Sequence, residues 1–161
     1  MSNGSPPTND SAAGVLICDD NEAMRTLLGV IVSTSLRMRV VGEARDGNQA
    51  VVEAKRLQPH VILLDLAMPI RSGLEALPEL RQAAPEAQII VFSGFAGAIV
   101  ADEVMALGAA TYLEKGAHPD TIVATIEESL ARSNGFPRRL TTPIQDQGGA
   151  AEPVAGAPPP A

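Results

Sequence analysis

Four places in this 161-residue chain pair a short apolar run with a side chain able to do chemistry. Asp19 and Asp20 directly follow Val15–Leu16–Ile17–Cys18, and Asp65 directly follows Val61–Ile62–Leu63–Leu64. Ser93 follows Ile89–Ile90–Val91–Phe92, and Lys115 stands just past Thr111–Tyr112–Leu113. A carboxylate at the end of a buried strand is costly unless something pairs with it. Three carboxylates brought together repel one another and take up protons. A hard divalent cation with oxygen ligands removes that conflict. Mg²⁺ suits, because it takes one or two carboxylates, keeps several waters and leaves room for phosphate oxygens. A carboxylate beside such a cation, with a lysine and a hydroxyl near, is equipped to act as a nucleophile toward phosphorus. The cation, Lys115 and Ser93 would stabilise charge on the equatorial oxygens of the transferring group. The product would be an acyl phosphate on Asp65.

Each residue also has a plainer reading. Asp20 or Asn21 can cap a following helix by accepting from its free N–H groups. Asp65 can be a chance polar end to a strand, Ser93–Gly94 an ordinary turn pair, and Lys115 a surface lysine. One such coincidence is cheap, whereas four at the ends of four strands are not.

The elements that must position these groups are legible in the hydrophobic pattern. Val61–Leu64 reads as a strand covered on both faces, closed off by Pro69. Val15–Cys18, Arg39–Ala44, Gln88–Phe92 and Thr111–Leu113 read as four more strands. Helical spacing recurs at Met24, Leu27, Leu28 and Ile31, and after an Asp46–Gly47 turn at Ala50, Val51, Ala54 and Leu57. It recurs again at Leu74, Leu77 and Leu80, at Ile99, Val100, Val104 and Leu107, and at Ile122, Val123, Ile126 and Leu130. Gln58–Pro59 and Gly108 are stop signals, and Pro119 suits a helix start. Pro78 is tolerable if the third helix begins near Leu74, where it falls at the end of the first turn. Five strands alternating with five helices predict an α/β fold, a parallel sheet with helices on both faces. Right-handed crossovers then bring all the strand C-terminal ends, and the reactive groups, to one edge.

Composition narrows the partners. The net charge is −7 and no basic patch is concentrated; Arg138–Arg139 is only a pair, so direct nucleic-acid binding is not expected. The one cysteine, Cys18, lies inside an apolar run and reads as a buried thiol, without an intramolecular disulfide or thiolate zinc site. No run has the length of a membrane span and the N-terminus lacks a signal peptide's apolar core, so a cytoplasmic protein is expected. Residues 1–13 read as a disordered leader. Residues 134–161, rich in Pro, Gly and Ala, read as a disordered tail that holds no second domain.

The set Asp19–Asp20, Asp65, Met68–Pro69, Gly73, Ser93–Gly94, Tyr112 and Lys115 resembles the receiver domain of two-component response regulators. The resemblance runs from about residue 14 to residue 133. It implies a flavodoxin-like sheet of order 2-1-3-4-5. It implies that Asp65 accepts a phosphoryl group from a phosphohistidine of a sensor histidine kinase or a histidine phosphotransfer protein. Asp19, Asp20, Asp65 and the backbone carbonyl of Ala67 would hold Mg²⁺, and Lys115 and Ser93 would contact the phosphate. Ser93 turning inward, followed by the ring of Tyr112, would switch the face made by the fourth helix, fifth strand and fifth helix toward an output protein. Such a chain is a signalling switch rather than a turnover enzyme.

Three departures from the family's pattern stand out. Gly116 occupies the position where members often carry a proline. Phe95, two positions past Ser93, and Ala67, two past Asp65, are apolar where many receivers are polar. They are expected to restrict attacking water and lengthen the life of the acyl phosphate. A flavin-binding relative would need an anion cradle after the first strand, where this chain has Asp19–Asp20–Asn21–Glu22. A phosphatase with an aspartyl nucleophile would need its second acid at Asn21. A degenerate receiver serving as a docking module would typically have lost the acid, the hydroxyl or the lysine, and all three are present.

Overall fold

The computed structural model describes residues 12–94 and 97–133. The elements run β1 (Ala13–Cys18), α1 (Glu22–Ser33), β2 (Met38–Ala44), α2 (Gly47–Leu57), β3 (Val61–Leu64), α3 (Gly73–Ala83), β4 (Gln88–Ser93), α4 (Ala98–Ala106), β5 (Thr111–Glu114) and α5 (Pro119–Arg132). The strands form one parallel sheet in the order β2-β1-β3-β4-β5, as expected. β1 begins at Ala13, inside the stretch expected to be leader, and the Ala13 N–H donates to the Arg37 carbonyl at 2.7 Å. The expected tail at 134–161 and Phe95 lie outside the described residues.

Strand alternation sorts the core into two layers. Leu16, Cys18, Ile62, Leu64, Ile89 and Val91 pack with Ala50 and Ala54 of α2, Leu77 and Leu80 of α3 and Val104 of α4. Val15, Ile17, Val61, Leu63, Ile90 and Phe92 pack with Leu28, Ile31 and Val32 of α1 and Ile122, Ile126 and Leu130 of α5. Full burial of β3 follows from its central place, since both faces are covered. The chain steps outward from β1 to β2 and returns to β3. The crevice where the order reverses therefore lies between β1 and β3, the two strands followed by the acids.

The β1–β2 register shifts once. Val15 pairs with Val40 but Leu16 pairs with Gly42, leaving Val41 as an extra residue. The extra residue reverses which side chains of β2 face which layer. Val40 packs with the α1–α5 layer while Ala44 packs with the α2–α4 layer. Glu43, between Gly42 and Ala44, is thereby turned to the side of α1.

Local capping sets where the helices begin. Asn21 accepts from the Met24 N–H at the start of α1, and Asp46 accepts from Asn48 and Gln49 at the start of α2. Asp46 is thus more than a turn residue: it is a buried N-cap. Ser72 and Glu75 form a reciprocal capping box at the start of α3. That box starts α3 at Gly73, which puts Pro78 beyond the first turn, where it removes a bond to the Leu74 carbonyl. Pro78 lies on the exposed side of α3, where water rather than core surrounds the helix. His118 caps α5, with Pro119 at its first position. α4 follows Gly97 and, among the described residues, has no side-chain cap.

One glycine is fixed by the site itself. The Gly73 N–H donates to the Leu66 carbonyl at 3.0 Å, and a Cβ placed on Gly73 would stand 2.0 Å from the Asp65 carbonyl oxygen. The start of α3 is therefore seated on the backbone of Asp65. Gly73→Ala is expected to lower unfolding free energy by about 2 kcal/mol or more. Urea denaturation measures this, and an unchanged midpoint would contradict the packing. The capping box makes a second prediction. Bonds from the Ser72 N–H and hydroxyl hold the Glu75 carboxyl below its ordinary value. A depressed folded value stabilises the fold above the unfolded carboxylate range, about pH 4.3, and the gain is lost as pH falls through the folded value. Thermal midpoints of wild type and Glu75→Ala are thus expected to differ at pH 7 and to draw together as pH falls below the unfolded carboxylate range.

Candidate functional site

The loops at the C-terminal edge are extensions of the sheet. The Asp19 N–H donates to the Ala44 carbonyl at 3.0 Å, and the Asp65 N–H donates to the Cys18 carbonyl at 2.8 Å. The Lys115 N–H donates to the Ser93 carbonyl at 2.8 Å. Asp19, Asp65 and Lys115 are each pinned by backbone to a neighbouring strand before the side chain begins. Ser93, the last residue of β4, is wholly buried. β3 pairs Leu64 with Val91, which sets Ser93 level with the loop just past Asp65.

The expected acids do converge. One carboxylate oxygen from each of Asp19, Asp20 and Asp65 lies within 4.8 Å of the others. Asp19 and Asp65 are 1% and 3% exposed, while Asp20 is open to solvent. Asp19 Oδ1 accepts from the Asn21 N–H at 2.9 Å, and Asp65 Oδ1 accepts from the Ala67 N–H at 3.3 Å. The Lys115 ammonium bridges the remaining oxygens, 2.7 Å from Asp19 Oδ2 and 3.0 Å from Asp65 Oδ2. Spacing alone places Lys115 at the right edge of the sheet but does not reveal this double pairing.

The electrostatics follow from that geometry. Burial raises the Asp65 carboxyl above its ordinary value and the Asp19 charge adds to the rise, while Lys115 and the Ala67 N–H oppose it. Burial alone would lower the Lys115 ammonium; its contacts with Asp19 and Asp65 reverse that and leave it raised. Lys115 is a firm cation beside an acid whose charge is held at a cost. Asp19 Oδ2 is buried, and among the described residues the Lys115 ammonium at 2.7 Å is its charged partner, with no backbone N–H donating to it. A carboxylate oxygen in that condition, grouped with two others, is what a hard cation completes, and the three acids fit Mg²⁺.

Tyr112 pairs with Val91 and is partly buried against the α2–α4 layer. Burial, then the neighbouring Glu114 charge, raises its phenol. Ala67 is exposed. Gly116 has φ +113°, a backbone that proline cannot adopt, so this loop takes a different path from one with proline there.

Arg25 escaped the sequence reading. It is 3% exposed on the inner face of α1. Its Nε donates to Glu43 Oε2 at 2.8 Å, and its Nη1 donates to the carbonyls of Asp19 and Asp20 at 2.9 and 3.2 Å. The available signal was its spacing: Arg25 stands three residues before Leu28 and seven before Val32, on the apolar stripe itself.

Among the described residues no helix is long and apolar enough to cross a membrane. Comparison with known proteins agrees with the geometry. The family model of the response regulator receiver domain matches residues 15–127. The nitrate/nitrite response regulator protein NarL of Escherichia coli is 36% identical over 136 residues, which are 83% of this chain and 62% of that protein. The chain thus spans about three fifths of that relative's length. The chemotaxis protein CheY of Thermotoga maritima is 33% identical, over 71% of this chain and 94% of that one. Among solved structures, the response regulator domain of Thermotoga maritima CheB superposes with TM-score 0.69 at 31% identity, covering 74% of this chain and 96% of that one. The receiver domain of NarL from Mycobacterium tuberculosis superposes with TM-score 0.72 at 26% identity, covering 76% and 98%. With its five-stranded sheet, its acidic cluster and a matching family model over most of its length, the chain belongs to the response regulator receiver family.

Proposed function

We propose that this chain is the phosphoacceptor of a two-component signalling system, with Asp65 the residue phosphorylated. The observation that carries the reading is the pairing of one ammonium, Lys115, with two nearly buried carboxylates, Asp19 and Asp65, beside a third acid. An Asp65 oxygen attacks phosphorus of a phosphohistidine. The new O–P bond forms as the P–N bond breaks, and the leaving imidazole keeps the electron pair. Asp19, Asp20, Asp65 and the Ala67 carbonyl would hold Mg²⁺, which when bound offsets negative charge on the transferring oxygens. Lys115 releases Asp65 to pair with the phosphate, and the Ser93 hydroxyl donates to it. Those two contacts, followed by repositioning of Tyr112, alter the face of α4, β5 and α5 where an output protein docks. The donor is a histidine kinase or histidine phosphotransfer protein, and the chain acts as a switch rather than by turnover.

The alternative, a receiver that docks its partner constitutively, loses ground because Asp65, Ser93 and Lys115 are all retained and Asp65 and Lys115 are in contact. Incubation with acetyl phosphate and Mg²⁺, followed by intact-mass and peptide analysis, distinguishes the two. One added phosphate located on Asp65, abolished by Asp65→Asn and by EDTA, is the expected result. A chain that stays unmodified under these conditions would favour the constitutive module.

A further inference from the structure

We propose that Arg25, held by Glu43, is a positioning residue for the cation-binding acids; the inference rests on the Mg²⁺ reading above. A buried guanidinium needs partners for its donors, and here two of those partners are the backbone carbonyls of Asp19 and Asp20. Asp19 has further anchors, through its own N–H to Ala44 and its Oδ1 to Asn21. Asp20 is exposed, and Arg25 grips its carbonyl. Where the Asp20 backbone sits decides where its carboxylate can reach.

Glu43 fixes the other side of the fork. Its bond to Arg25 exists because the extra residue Val41 turns Glu43 toward α1, opposite Ile17 of β1. A half-exposed ion pair contributes little to stability by itself. Its effect here is directional: it orients a planar group so that Nη1 points at the two carbonyls. α1, β2 and the acidic loop are joined at this one side chain.

Charge and geometry predict opposite signs, which makes the proposal sharp. If Arg25 acted only as a nearby positive charge, its removal would tighten binding of a dication. If it positions the acids, its removal weakens binding, and loss of a group that orients metal ligands costs about 10- to 100-fold in affinity. The experiment is isothermal titration of the full chain with Mg²⁺ alone, well below each variant's thermal midpoint. Arg25→Met is expected to weaken Mg²⁺ by about 10-fold or more. Arg25→Lys should fail to restore it, because one ammonium cannot span Glu43 and both carbonyls. Arg25→Lys also keeps the test readable if Arg25→Met does not fold, because it preserves the charge: a charge-only role leaves Mg²⁺ affinity level, whereas a positioning role weakens it. Variants whose midpoint falls while Mg²⁺ affinity stays level or rises would overturn the proposal and leave Arg25 a structural residue. Binding that Asp19→Asn abolishes and Arg25→Met spares overturns the positioning role alone. Absence of saturable Mg²⁺ binding by the unaltered protein overturns the cation reading and this proposal with it.

Discussion

Two almost wholly buried carboxylates share one ammonium, and the rest of the molecule is arranged so that they must. Asp19 and Asp65 sit at the ends of adjacent parallel strands, where the reversal of strand order leaves a crevice. Without the ammonium, burial and the neighbouring Asp19 charge would both raise the proton affinity of Asp65. Lys115 arrives from the far edge strand, and its backbone is tied to Ser93 rather than to either acid. The side chain nevertheless reaches both acids. The arrangement offsets part of the cost of a charge on Asp65 in a site that disfavours charge.

Packing around the site is closer than the chemistry alone requires. Gly73 seats α3 on the Asp65 carbonyl, and Gly47 brings α2 against the Arg71 carbonyl, with a bond of 2.8 Å from the Gly47 N–H. A side chain at either position would meet backbone, which has nowhere to move. The crowding links the two helices to the loop after β3, so displacement of that loop is felt by α2 and α3 together. On the opposite face, the register shift in β2 performs a similar service by aiming Glu43 at α1.

The sheet and its order of elements were legible because apolar runs of strand length alternate with helical stripes, and the site was legible because its reactive residues stand at the ends of those runs. Side-chain reach was not legible. Lys115 carries no mark in the sequence that it serves two acids rather than one. Arg25 was hidden because a charge in a helix is usually a solvated one, and only its place on the Leu28–Val32 stripe marked it as buried. Asp46 reads as a turn before glycine, and only the bonds from Asn48 and Gln49 show it to be a cap. The Ser72–Glu75 spacing is the sequence signal for the start of α3 at Gly73, and Pro78 lacks its bond to the Leu74 carbonyl whether the helix begins at Gly73 or at Leu74.

The helix beginnings differ in one respect that bears on how the molecule moves. α1, α2, α3 and α5 each start with a side chain that accepts from the first turn, and α4 does not. A first turn without that acceptor frays more readily, because its N–H groups exchange partners with water at little cost. The loosest helical start thus belongs to the element next after Ser93, on the surface proposed to report the state of Asp65. On that ground the first-turn amides of α4 are expected to exchange with solvent ahead of those of the capped helices, and rearranging this turn costs less than opening the sheet beneath it.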